Sequence, residues 1–142
     1  MVNSRFAVAI HILSIVASTP CGQATSAYIA GSVNTNPVVI RRISSMLKKA
    51  GIIESKVGAP GATLTKSPEE ISLLDVYKAV QSPDELFAIH EEPNPACPIG
   101  KQIQHTLTDV FLSAQQAMEQ ELASKTVADV LHGMGMGKNV TE

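Results

Sequence analysis

Apolar positions recur along this chain first at a helical period, then briefly at a strand period, then again at a helical one. "FAVAIHILSIVAS", Phe6 to Ser18, is apolar almost throughout. Phe6, Ile10, Leu13 and Val16 fit the inward face of a helix running from Asn3 or Ser4 to about Ser18, stopped by Thr19-Pro20 with Gly22 beyond. Thr25 or Ser26 then caps a short helix through "AYIAGSV". A turn at Asn34, Thr35 and Asn36 follows, and Asn36 before Pro37 has the form of an N-cap with proline at the first helical position. The helix so started carries Ile40, Ile43 and Leu47 inward and ends at Ala50-Gly51.

The period then shortens. "IIESKV" alternates as a short strand, "GAPGA" is a turn, and "TLT" returns as a second strand. "SPEEISLLDVYKAV" predicts one helix with Ser67 as cap, Pro68 first and Glu70 completing a capping box. "EEPNPACP" is a proline-broken loop, and from Pro98 to about Ser124 a long helix carries Ile99, Ile103, Leu107, Phe111, Ala114 and Met118 along one stripe. The tail "HGMGMGKNVTE" is glycine-rich and expected to fray.

Two short helices joined by a tight turn and followed by a β-hairpin is the order of a winged helix-turn-helix. The expected fold is therefore mainly α with a small β-hairpin wing, extended by a long C-terminal helix. Residues 1–82 would form the winged helix-turn-helix, 83–97 a connecting or sensor loop, 98–132 a dimerisation region and 133–142 a flexible tail. The stripe from Ile99 to Met118 is longer than a small monomeric core needs, which points to a homodimer.

Composition agrees with a folded domain: of 142 residues, 44% are hydrophobic and 17% charged. The first apolar run, thirteen residues interrupted by His11, falls short of the roughly 20 that a membrane span needs. A secretory leader is the other reading of that run, but the weak charge ahead of it and Pro20 beside any cleavage point oppose it. A cytoplasmic protein with reduced thiols is expected.

Charge changes the picture more. Residues 1–66 hold seven Lys and Arg against Glu54 alone, a net +6; residues 67–142 hold four lysines against twelve acids, a net −8. Arg41, Arg42, Lys48 and Lys49 crowd the helix after Asn36, with no acid before Glu54. With Ser45 they lie off its Ile40/Ile43/Leu47 stripe, as the outer face of a groove-entering helix requires. The bland alternative is a solvated basic face. The competing function is an interaction module that binds RNA or an acidic protein.

The stretch "YIAGSVNTNPVVIRRISSMLKKAGIIESKVGAPGATLTKSPEEISLLDVYKAV" resembles the bacterial regulators that include IscR, NsrR and CymR, and most resembles Bacillus-type members lacking the full cluster ligand set. The flanking N-terminal helix, cysteine-bearing loop and long C-terminal helix extend the resemblance over nearly the whole chain. It implies a homodimeric winged-helix transcription regulator, usually a repressor, on a near-palindromic operator in double-stranded DNA. Carried over residue by residue, it makes Asn36, Val38, Val39, Arg41 and Arg42 base-reading candidates. Arg41 stands where a family member carries an acidic reader, so operator preference should differ, because arginine pairs with guanine O6 and N7 and glutamate does not. Val38 and Val39 suit thymine methyls or ordinary packing. Ser26, Tyr28, Lys48, Lys49 and Lys56 read as phosphate contacts. The wing tip, Gly58 to Thr63, lacks the family's frequent basic or aromatic residue, which weakens the case for minor-groove insertion.

Several members of that family hold an iron–sulfur cluster through three cysteines near the start of the long helix. "EEPNPACPIGKQ" supplies Cys97 alone, with Cys21 far back in sequence, and one thiolate does not hold such a cluster. No cofactor or metal is expected. Cys97, ahead of a helix start, is a redox candidate that could pair with Cys21; the competing reading is a small buried hydrophobe. His11 reads as a hydrogen-bonded core histidine, and His105 and His132 are weaker signals still. Asp84-Glu85 and Glu91-Glu92 read as solvated charge, with no base–nucleophile arrangement to suggest an enzyme. A thiol-redox or small-molecule signal remains open.

Overall fold

The computed structural model describes residues 4–20, 22–56, 58, 60–81, 94 and 96–136. Among these, α1 spans Arg5–Ser18, α2 Ser26–Val33 and α3 Pro37–Lys49. Strands β1 (Ile53–Glu54) and β2 (Thr63–Leu64) pair antiparallel, Ile53 opposite Leu64 and Glu54 opposite Thr63. A 3-10 turn at Pro68–Glu70 leads to α4 (Leu73–Val80), and the long α5 (Pro98–Ala123) is followed by α6 (Val127–Gly133). The mainly α fold with a small hairpin matches the sequence expectation.

The helix starts are set by side-chain caps. Thr25 Oγ1 accepts from Tyr28 N at 3.2 Å, and Asn36 Oδ1 accepts from Val39 N at 3.1 Å. Between them Asn34 takes the left-handed conformation (φ 65°) that ends α2 and turns the chain tightly. At the other end of α3, Gly51 (φ 78°) allows Ile52 N to reach back to Leu47 O at 3.0 Å, closing the helix with a left-handed C-terminal turn.

α3 seats Ile40, Ile43 and Leu47 in a core shared with Ile12 and Leu13 of α1, Ile29 of α2, Val76 of α4 and Ile53 at the wing's base. Each such side chain contributes roughly 1.5–3 kcal/mol by burial. The inward face of α1 is set by Ala9, Ile12, Leu13 and Val16; Phe6 and Ile10 are only half-buried, and Phe6 packs edge-on to Tyr77 with ring centroids 5.4 Å apart.

Two departures from the sequence expectation share one cause. The single helix expected over "SPEEISLLDVYKAV" is broken at Ile71, which is extended and fully buried. The Ser67/Glu70 capping interaction is present, with Ser67 N donating to Glu70 Oε1 at 3.3 Å, but it caps only the 3-10 turn. A second cap, Ser72 Oγ accepting from Asp75 N at 3.1 Å, starts α4. Ile71 is pulled straight because its carbonyl accepts from Val127 N at 3.0 Å, while Leu73 N donates to Lys125 O at 2.9 Å. The segment paired with it continues as α6, whose Val127, Ala128 and Leu131 are buried, so the chain beyond the long helix returns to the core beside α1.

Candidate nucleic-acid interface

On α3 the residues off the buried stripe point to solvent. Arg41, Arg42, Ser45, Lys48 and Lys49 are all exposed, and among the described residues no carboxylate pairs with any of the four cations. Lys48 and Lys49 also occupy the last turn, where positive charge suits the helix dipole. The two valines of the first turn separate: Val39 is half-buried against the core, whereas Val38 is 52% exposed at the tip. Asn36 is exposed, but its Oδ1 is engaged in the cap, leaving its NH₂ as the outward group.

Ser26 opens α2, and Tyr28 stands 56% exposed two residues on. The N-terminus of α2, the second half of α3 and the wing enclose a recess of about 290 Å³ lined by Thr25, Ser26, Ser44, Lys48, Ser55 and Gly61, among others. It brings hydroxyls, one ammonium and the free N–H groups of a helix start together, the donor set that a phosphate prefers. Ser44 and Ser55 escaped the sequence reading because nothing local marks them; only the approach of the wing to α2 gathers them there. Gly61 (φ 83°) permits that approach, since a Cβ on it would lie 3.3 Å from Ala24 N. Lys56 is exposed on the wing, and the expected tip is described only in part, Gly58 and Pro60 to Thr63.

The long helix departs from the rest of the molecule in burial: none of its residues is buried. Ile99 and Ile103 are exposed, as is Ala114, while Leu107, Phe111 and Met118 are half-buried. Val110 and Leu112, outside the stripe read from sequence, are also exposed.

Cys97 is the N-cap residue of α5 and exposed. The backbone N–H of Gly100, and after it that of Ile99, hold its thiol below the ordinary value by stabilising the thiolate. Cys21, Asp84-Glu85 and Glu91-Glu92 lie outside the described residues. His11 is half-buried, with Nε2 3.0 Å from Ser32 Oγ. No described helix is long and apolar enough to cross a membrane.

Comparison with known proteins agrees with this geometry. The Rrf2 family, described as iron-dependent transcriptional regulators, matches residues 2–133. The chain is 58% identical over 132 residues to YwnA of Bacillus subtilis (strain 168), a candidate HTH-type transcriptional regulator, covering 93% of this chain and 98% of that one. A crystal structure described as a candidate DNA-binding protein is 53% identical with a TM-score of 0.74, over 90% of this chain and 99% of that one. CymR of B. subtilis, described as the global cysteine regulator, shares the fold with a TM-score of 0.66 at 20% identity, over 92% of this chain and 94% of its own. The relatives are regulators and not enzymes.

The iron in the family's description does not fit the residues present. The chain has two cysteines, against the four mostly sulfur ligands that a cluster takes. Among the described residues no three His, Cys, Asp or Glu side chains converge on a point where a metal ion could sit.

Proposed function

Since this chain belongs to the Rrf2 family of transcriptional regulators, we propose that it acts as a homodimeric repressor that reads a near-palindromic operator through α3. DNA binding itself follows from the family; the finer reading is carried by the open basic face of α3, from Arg41 to Lys49, on a helix whose opposite face is locked into the core. Arg41 and Arg42 lie in its first half, where a recognition helix meets base edges, and Val38 supplies an apolar contact suited to a thymine methyl. Lys48 and the hydroxyls of Ser26, Ser44 and Ser55 seat a backbone phosphate and fix register. Lys49 and Lys56 add further positive charge on either side, and Tyr28 reaches the same strand from α2.

The unburied α5 is the surface through which two protomers pair, and two-fold symmetry then sets the recognition helices about 34 Å apart or a multiple of that spacing. Occupying a promoter in this way represses transcription by excluding the polymerase. Cys97, exposed and biased toward thiolate, is the signal-sensitive group in this reading, with Cys21 its candidate partner. Selection of bound fragments from genomic DNA, with and without peroxide, tests all of this together. Recovery of a two-fold symmetric site whose occupancy changes with oxidant is the expected result. Equal binding to single-stranded DNA or RNA would instead favour the interaction-module reading.

A further inference from the structure

A recess lies away from α3's basic face, where α1, α2 and α6 meet. It measures about 520 Å³, within the range of small-molecule sites. Its walls include Ile10, Ile15, Val130 and Met134, and the His11–Ser32 hydrogen bond forms one polar end. Among the described residues no Lys, Arg, Asp or Glu lines it, so it offers neither sign of fixed charge to an ionic ligand. Burying an ion there would leave the ion unpaired at high cost.

From this chemistry we infer that the recess is a binding site for a compact neutral aromatic molecule bearing one hydroxyl group. The aliphatic walls remove the ring from water, and the thioether of Met134 and the ring of Tyr28, which also line the recess, make favourable contacts with aromatic faces and edges. A hydroxyl both donates and accepts, so it joins the His11–Ser32 pair whichever imidazole nitrogen carries the proton. The residues after Met136 read "GKNVTE", a polar segment with one apolar side chain, ill matched to these walls. The occupant would touch Tyr28 and Ser32 of α2, the helix that carries the phosphate contacts. Resting on the DNA-binding reading above, occupancy holds the Tyr28 ring against the ligand and away from the DNA strand assigned to it, which weakens operator binding.

The test uses 4-ethylphenol as probe against the isotopically labelled full chain without DNA. Saturable amide shifts confined to α1, α2 and α6 are expected, with at least tenfold weaker binding of 4-ethyltoluene, which lacks the hydroxyl. Ala7→Trp places an indole across the mouth from an exposed position, and Ser32→Val removes the polar partner. The first should abolish binding and the second should reduce the preference for the phenol, each in a chain whose remaining spectrum is unchanged. Should Ala7→Trp disturb the fold, Ser32→Val alone decides. No saturable shift, shifts centred on α5, or an unchanged preference in Ser32→Val overturns the site. Operator affinity is then measured with the probe at saturation. At least a fivefold loss is expected, and no change would overturn the coupling to α2 while leaving the site itself standing. A chain that binds the probe but no duplex DNA would count against the function proposed above and not against the recess.

Discussion

Arg41 and Lys48 sit two helical turns apart on one face of α3, yet the chemistry of their surroundings separates them. Arg41 is exposed in the half of the helix proposed to meet base edges, while Lys48 lines the hydroxyl-rich recess at the start of α2. Arg41→Ala should therefore relax preference at one base pair by about 1–3 kcal/mol, whereas Lys48→Ala should weaken all sequences alike and lower the salt slope by about 1. Binding isotherms on an operator and its single-base variants, at several salt concentrations, separate the two; equal losses on every sequence would remove direct readout from Arg41. Cys97 carries a different kind of test. Its thiol is held down by the N–H groups of Gly100 and Ile99, so the thiolate forms at lower pH in the folded chain than in the unfolded one, whose thiol keeps its ordinary value. The linked stability is present above the unfolded value and fades as pH falls through the folded one. Iodoacetamide alkylation of Cys97 in a Cys21→Ser chain should accordingly reach half its limiting rate at lower pH when folded than in urea. The exposure of Arg41 and Lys48 was legible in the sequence, because charge spacing against an apolar stripe settles which face is wet; that of Cys97 was not, since a small buried hydrophobe was its competing reading. The hydroxyl-lined recess was not, since Ser44 and Ser55 become neighbours only when the wing folds back.

Elements were legible where a local signal starts or stops them. Asn36-Pro37 and Gly51 bracket α3 in the sequence, and the structure fills in the hydrogen bonds those residues make. Asn36→Ala removes the cap from the helix that presents the basic face, so a loss of about 0.5–2 kcal/mol in stability is expected, measured by urea unfolding. The break at Ile71 and the return of α6 to the core were illegible for the opposite reason. Ser67, Pro68 and Glu70 do signal a helix start, but the hydrogen bonds that stop it come from Lys125 and Val127, more than fifty residues away in sequence. "VADVLHG" is too short to announce itself by period, and the glycines after it suggest a loose end. Its Leu131 is nevertheless buried, and Leu131→Ala should cost about 2–5 kcal/mol of stability. A loss within the noise of a surface substitution would mean that α6 does not belong to the core.

The whole molecule is unbalanced in one respect that no single element explains. A 26-residue helix, about 39 Å long at 1.5 Å per residue, has no buried residue and displays Ile99, Ile103, Val110 and Leu112 to solvent. Propensity alone does not hold such a helix straight in water, because helical stability in proteins comes mainly from packing of an apolar face. Ile99, Ile103 and Val110 fall on one side of α5, and contiguous exposed apolar surface of this kind marks an interaction site; in the homodimer proposed above, its self-complementary partner is the same stripe on a second copy. The spacing from Ile99 to Met118 announces this stripe in the sequence, whereas the exposure of Val110 along it is visible only in the structure. Ile103→Glu together with Val110→Glu places two charges on surface already open to water in one protomer, so the core of α1, α3 and α4 should stay intact while pairing is lost. Light scattering after gel filtration should give the mass of a dimer for the parent chain and of a monomer for the double variant, with little change in circular dichroism. Operator binding should fall by far more than a Lys48→Ala change produces, because one recognition helix loses the partner that occupies the second half-site. A double variant that stays dimeric would place the interface elsewhere; one that becomes monomeric yet binds the full site as tightly as the parent would mean that DNA is read by a single copy.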